Sequence, residues 1–566
     1  MASTYDFIVV GSGPAGSSIA SSLSRSPKKP RVLLLEAGGP NADRTLRVDG
    51  QRWTTLQNSA MNWGYKTTPQ SHCGGRELDY SRGRGLGGSS AINFGVFSVG
   101  ARRDYDEWAS LTNDKSFTWE NMKRRFRSLE AFDPTPPPGV DKKYAAARAE
   151  DHGVDGFLRT GFPAEVEEDT VPMLELFEKA GFPLNPDHNS GDPIGMALGI
   201  NSSSKGMRST AADLLATAPE NLTIVTDAPV QRIVLEGKRA VGVESNGKQY
   251  LATKEVILSA GALNDPKILM HSGIGPKSQL EKFGIPVVSD VPAIGQGLKD
   301  HAFVPLAYSR ASGDANRAAF YSDKAAMASA LEQWTSSGGA GPWARYGCEM
   351  PIGWFKLPSL AASPEFQALP DSEKDFLSDP TVPHYELLSH FPLHWFVPFA
   401  DSTLNYNCLL VFLYNAQAHG EVTLQSADPA APLRFDPKFL STAFDRRAAI
   451  ESLRDAYRIV RHEAYVKDNV ATIAGPKGES DEELLEYWRQ SIGSSWHMTG
   501  TVKMGRKGGA GEDVAVDSDF RLIGFEGLRV ADMSVVPIIM SCHVQAVAYL
   551  TGLTCAEKLI AEYQLA

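Results

Sequence analysis

The sequence predicts an α/β fold, and three features near its N-terminal end predict it. Tyr5 to Val10, with the apolar run Phe7 to Val10, read as a buried strand, and Gly11-Ser12-Gly13-Pro14-Ala15-Gly16 then fill a G-x-G-x-x-G turn. A helical stretch from Ala15 to about Ser24 leads to a second apolar run, Arg31 to Leu35, which ends in Glu36. Together these make a Rossmann-like βαβ unit. Gly11 permits the tight turn, Gly13 lets main chain approach a pyrophosphate, and Gly16 lets the helix pack closely on the strand. The helix N-terminus at Ala15 and Gly16 supplies amide donors and partial positive charge for an anion. Glu36 stands where such folds place a carboxylate on a ribose hydroxyl. The pattern alone fits NAD and FAD equally. An acid at the strand tip followed by Ala37-Gly38-Gly39 looks like the start of many FAD-binding chains, so FAD is the expected cofactor.

The chain has 566 residues, about four times a ~150-residue domain, so it can bury a large core and carry more than one unit. Its 42% hydrophobic and 22% charged residues are those of an ordinary globular protein. A net charge of −11, with no dense Lys/Arg stripe, excludes nucleic acid as an expected partner. No apolar stretch reaches the ~18 residues of a spanning helix, so no membrane partner is expected. Cys73, Cys348, Cys408, Cys542 and Cys555 are odd in number and form no C-x-x-C pair, which predicts neither a disulfide framework nor a metal site. Only four residues separate Met1 from the strand's charged and apolar residues Asp6 to Val10, so a cytoplasmic protein is expected. The alternative is a secreted protein without its leader, in which Asn201 and Asn221 would be glycosylation acceptors.

Two further runs sharpen the reading. Gly83-Arg84-Gly85-Leu86-Gly87-Gly88-Ser89-Ser90 precedes Ala91-Ile92-Asn93, a composition that lets main chain approach a flat or phosphorylated ligand. The run Gly261 to Gly275 follows the apolar strand Val256-Ile257-Leu258. These segments resemble the two signatures of the glucose-methanol-choline (GMC) oxidoreductase family of flavoproteins, and the first continues to match through Phe97, Gly100 and Asp106. Further pieces fall in the family's order: residues 294 to 301, 420 to 424, 497 to 501 and 528 to 532. Three positions depart from the pattern: Asp265 replaces the usual Ser or Thr, Gly297 the common Asn, and Met498 the Pro after the histidine. Ile92 stands where some members carry a histidine bonded to the flavin, which implies non-covalent FAD.

The resemblance implies the site. The family removes an alcohol's hydroxyl proton with a base while the carbon's hydride passes to the flavin, and histidine suits such a base near neutral pH. His497 matches the near-invariable histidine and is expected to be the base; His543 matches the second position, Asn or His, and is expected to bind the substrate oxygen and share the proton. The other ten histidines, His271 and His301 among them, read as packed structural residues. Expected cofactor contacts are Gly11, Gly13, Ala15, Gly16, Glu36, Ala37, Arg84, Gly87, Gly88, Ser89, Asn93, Val230, Ala260, Asp532, Val544 and Gln545. Phe94, Trp395, Phe396 and Trp496 are the expected substrate-pocket residues, with Phe391 and His394 beside them; aromatic walls favour an aryl or other apolar alcohol over a sugar. Residues 529 to 545 look like the same stretch of fungal formate oxidase, in an aryl-alcohol oxidase and formate oxidase branch. That enzyme carries arginine where this chain has His543. An arginine fork would hold a carboxylate, so its absence argues for a neutral alcohol or aldehyde hydrate.

The expected organisation is a discontinuous FAD-binding domain, residues 1–155, 215–310 and 492–566. A sheet-and-helix substrate-binding domain, residues 156–214 and 311–491, covers the flavin face. Pro134 to Pro138 and Ser336 to Gly341 read as surface loops. The expected activity is oxidation of a neutral alcohol, aromatic or allylic, to the aldehyde, with oxygen or another acceptor taking the electrons. The alternative is a non-redox lyase or cyclase that keeps FAD as scaffold.

Overall fold

A computed structural model describes residues 4–311, 316–346, 350–392, 405–507 and 513–566. The first sheet runs in the order Leu222–Val225, Val32–Leu35, Thr4–Val10, Lys248–Leu258, Arg239–Ser245, Val230–Glu236, with Leu528–Val530 on the other flank of Lys248–Leu258. Its central strands are parallel. Parallel strands are covered on both faces, which is why Phe7–Val10, Val32–Leu35 and Val256–Leu258 are unbroken apolar runs with almost no exposure. The first helix, Pro14–Arg25, and the last, Gln545–Glu562, pack together on this sheet, and a Cβ at Gly552 would stand 2.3 Å from the Ala15 carbonyl. The carboxyl ends Val10, Leu35 and Leu258 therefore open onto one crevice, the usual ligand position in such sheets.

The second sheet is antiparallel: Asn469–Ala474, Ala302–Arg310, Tyr406–Leu413, Tyr385–Leu388, Pro351–Phe355, Gly195–Leu198, with Gly493–Ser494 beside Ala302 and Phe303. Alternation along a strand sends successive side chains to opposite faces. Leu409 and Val411 enter the main core, whereas Leu410 and Phe412 face the crevice; across the ladder Tyr385 and Leu387 go one way, Glu386 and Leu388 the other. Ala302–Arg310 thus belongs to this second sheet. We propose accordingly that the second segment of the nucleotide-binding domain closes near residue 300 rather than 310. The Pro134 to Pro138 stretch is irregular, as expected, while Ser336 and Ser337 end the helix Lys324–Ser337 instead of lying in a loop. Among the described residues no helix is long and apolar enough to cross a membrane.

Candidate active site

The glycine-rich segments build a channel wall by packing backbone on backbone. A Cβ at Gly16 would sit 1.9 Å from the Gly11 carbonyl, one at Gly88 2.7 Å from Gly13 Cα, and one at Gly38 2.5 Å from the Gly85 amide. Gly11 itself adopts φ +96°, a conformation that favours glycine. Gly13 is different: nothing lies within 4 Å of where its Cβ would stand, so its open side faces the channel. Glu36 sits at this wall, its two oxygens accepting from the amides of Ser12, Gly38 and Gly85 and from the Ser12 hydroxyl. That network fixes the carboxylate at the strand tip.

The channel and the space beyond it form one cavity of about 430 Å³. Gly11, Gly13, Ala15, Glu36, Ala37, Arg84, Gly88, Ser89, Asn93, Val230, Ala260, Asp532, Val544 and Gln545 line it. Gly16 and Gly87 do not; Gly16 seats the helix against Gly11, and Gly87, at φ +95°, donates its amide to the Ser12 carbonyl 3.2 Å away. Both therefore act as shape-makers rather than cavity-wall groups. A polar ligand suits this wall: buried Arg84 Nε and Gln545 Nε2 have no hydrogen-bond partner among the described residues. Also on this wall, Asp532 accepts from the Gly261 and Ser534 amides, 2.5 and 2.7 Å away. Asp265, the departure from the family pattern, faces Asp532 and accepts from the Ala260 amide at 2.8 Å. Burial first, and then the Asp532 charge, push the Asp265 carboxyl well above the carboxylate range.

His497 and His543 line the same cavity, ring centroids 4.8 Å apart and nearly perpendicular. His497 follows Trp496, which adopts φ +58°, and the turn is held by a buried carboxylate: the His497 amide donates to Asp300 Oδ1 at 2.7 Å and Ser494 Oγ to Oδ2 at 2.5 Å. Lys299 and Thr499 pair across the same segments. The loop before His543 is clamped likewise, with Ser541 donating its amide and hydroxyl to Asp104 at 2.6 and 3.0 Å. Burial pushes both Asp104 and Asp300 up to about 7. His497 is only 7% exposed, and burial, then the charge of His543, hold its imidazole well below the ordinary histidine value. It is neutral at physiological pH, with a lone pair available.

Two buried partners of this pair escaped the sequence reading. His543 Nε2 meets both oxygens of Glu386, which also accepts from the Tyr414 hydroxyl at 2.7 Å. His301, read as a packed structural histidine, instead places its Nδ1 2.9 Å from His497 Nδ1. Glu386 was detectable as an acid within the apolar run Tyr385 to Leu388, and His301 as part of a matched motif. By contrast His271 is an ordinary buried histidine, driven by burial down to about 4.

Among the described residues the same cavity also has an apolar stretch of lining. Phe94 and Trp496 line it, their rings 5.5 Å apart, and so do Phe303, Phe391, Leu410 and Phe412. Trp53 backs this wall, 4.0 Å from Phe94 and 5.0 Å from Phe391. Trp395, Phe396 and His394 lie outside the described residues. Cys542 is fully buried with its thiol pushed well up by burial, which suits packing and not nucleophilic attack. Among the described residues no cluster could hold a metal ion.

Comparison with known proteins shows the family. Two GMC oxidoreductase family models match, over residues 5–303 and 416–552. Pyranose dehydrogenase 3 of Leucoagaricus meleagris is 32% identical over 574 residues, spanning 96% of this chain and 91% of its own. An oxygen-dependent choline dehydrogenase of Pseudomonas fluorescens is 30% identical over 585 residues, 99% of this chain and 94% of its own. A formate oxidase structure from Aspergillus oryzae superposes with a TM-score of 0.89 at 26% identity, covering all of both chains. This chain therefore belongs to the GMC oxidoreductase family, FAD-dependent enzymes that act on CH–OH donors.

Proposed function

We propose that this enzyme oxidises a neutral alcohol with an aromatic or allylic body to the aldehyde. The observation that supports this most is the apolar part of the cavity lining, Phe94, Phe303, Phe391, Leu410, Phe412 and Trp496, which among the described residues offers few groups to satisfy a sugar's hydroxyls. FAD would lie along the channel, its diphosphate against Gly13 and the amides of the first helix, its ribose near Glu36, and its ring near Asn93, Val544 and Gln545. Arg84, Gly88, Ser89, Val230, Ala260 and Asp532 would complete the grip. Ile92 lines the same cavity and offers no nucleophile, so the cofactor is held non-covalently, and acid precipitation should release all the yellow colour.

Bound FAD supplies the acceptor for the hydride that leaves the carbinol carbon. His497 takes the hydroxyl proton on Nε2, because its Nδ1 is engaged by His301. His543 donates Nε2–H to Glu386 and turns its remaining nitrogen to the substrate oxygen, while the buried carboxylate compensates positive charge on that ring. The apolar wall excludes water and orients the substrate body.

The test is anaerobic titration of the purified yellow protein with benzylic, allylic and aliphatic alcohols and sugars. Bleaching by benzylic or allylic alcohols and not by sugars is expected, and admitting air then reads whether oxygen is the acceptor. His497→Ala should slow bleaching by about 10³-fold or more with FAD still bound. Rapid reduction in that variant would overturn the base assignment. Flavin that no alcohol bleaches would favour the lyase or cyclase alternative.

A further inference from the structure

We infer that His301 is a positioning residue that serves His497 as the neutral acceptor for its Nδ1–H, a part that a carboxylate plays in hydrolase triads. The inference deepens the proposed role of His497 as base and rests on it. The two Nδ1 atoms are 2.9 Å apart, with the rings perpendicular, so they share one proton: two bare lone pairs would repel and two N–H groups would collide. His497 can act as base only with Nε2 bare, which puts the shared proton on its own Nδ1 and makes His301 Nδ1 the acceptor. The charged state points the same way. When the substrate O–H bond breaks, its electron pair stays on oxygen and a new N–H bond forms at Nε2. His497 then carries a proton on both nitrogens, and the His301 lone pair is what receives Nδ1–H. The carboxylate nearest in sequence, Asp300, is committed to the His497 amide and Ser494.

The surroundings keep His301 neutral throughout. It is wholly buried and stacks on Tyr414 at 4.1 Å, and Nε2 meets no partner among the described residues. The groups facing it are His497, the Tyr414 ring and, farther off, the charge of His543, none of them anionic. Burial and then that charge hold its imidazole well below the ordinary histidine value. A second proton on His301 would strand a cation against an unpaired N–H, so the proton taken from substrate stays on His497 and can be returned. A neutral acceptor orients the base without making it so basic that it would be protonated before substrate arrives. An aspartate there would do that.

Two measurements test this. In the oxidised holoenzyme labelled with ¹⁵N-histidine, the signals lost in His497→Gln identify His497, and its proton should sit on Nδ1 at neutral pH; a proton on Nε2 would overturn the assignment. This readout is independent of flavin reduction, so it separates failure here from failure of the base reading, which His497→Ala tests. His301→Phe keeps a stacked ring and removes the acceptor. It should retain FAD and substrate half-saturation while lowering the limiting rate of flavin reduction by about 10²-fold, and His301→Asn should recover most of that loss. His301→Asp should move the acid limb of the pH–rate profile upward. Parental rates in His301→Phe, or an unmoved acid limb in His301→Asp, would show that His301 only packs.

Discussion

His543 Nε2 lies 3.1 Å from both carboxylate oxygens of Glu386, a side chain with no exposure at all. Glu386 in turn accepts from Tyr414, Tyr414 stacks on His301, and His301 meets His497, so the two catalytic candidates are joined from behind by one continuous chain of contacts. Because a buried carboxylate is costly without a positive or donating partner, Glu386 and His543 stabilise each other's place. Glu386→Gln preserves shape and one acceptor but removes the charge. It should keep FAD and lower the rate of flavin reduction by about 10- to 100-fold, read by anaerobic stopped-flow with a bleaching alcohol. An unchanged rate would mean that the charge on Glu386 plays no part in the reaction.

The glycines of the first turn make a second, sharper contrast. A side chain at Gly13 points into open space, and its backbone, at φ −68°, is one that any residue adopts. Gly13→Val should therefore fold normally yet purify colourless or with FAD weakened by about 10²-fold or more, measured by flavin fluorescence on titration. Gly16→Ala should instead fail at folding, since its Cβ would stand 1.9 Å from the Gly11 carbonyl. If Gly13→Val binds FAD as tightly as the parent, the diphosphate does not lie where proposed.

That contrast also marks what could be read from residues alone. The βαβ unit was legible because strand, turn and acid are neighbours in sequence, and Glu36 indeed closes onto Ser12 and the Gly83 to Gly88 run. His497 and His543 were legible as motif positions. Glu386 and His301 were not legible in their roles, because their contacts bridge 157 and 196 residues and depend on how the second sheet folds over the first. The distinction between Gly13, which faces the cavity, and Gly16 or Gly87, which shape its wall, likewise required knowing what stands beside each Cα. The period-two pattern of Tyr385 to Leu388 would have put Glu386 on the face of Leu388, yet it does not say that this face looks onto a histidine.

The aromatic wall should govern selectivity. Phe391 lines the cavity, packs edge-on against Trp53 at 5.0 Å, and contributes no hydrogen-bonding group. Phe391→Ala should lower kcat/KM for a benzylic alcohol by about 10- to 200-fold and change that for a short aliphatic alcohol much less, since the lost contact is with the substrate body. Equal losses for both alcohols would place Phe391 in support of the fold rather than in the pocket.

A buried ion cluster away from the site sets a pH limit on stability. His152 lies between Glu130 Oε1 at 2.9 Å and Asp187 Oδ1 at 3.2 Å. Burial alone would lower its imidazole, but the hydrogen bonds to Asp187 and Glu130 outweigh it and push the group up to about 9. A folded value above the unfolded one means stability that is fully present below the unfolded value, about 6.5, and lost as pH rises through about 9. His152→Gln leaves two buried carboxylates without their cation at every pH. Its apparent Tm should therefore fall below the parent's by about 3–6 °C at pH 6, and the gap should close by pH 10 as the parent's own His152 loses its proton. A gap that stays constant from pH 6 to pH 10 would show that His152 acts through packing against Phe132, on which it stacks at 3.9 Å, and not through charge.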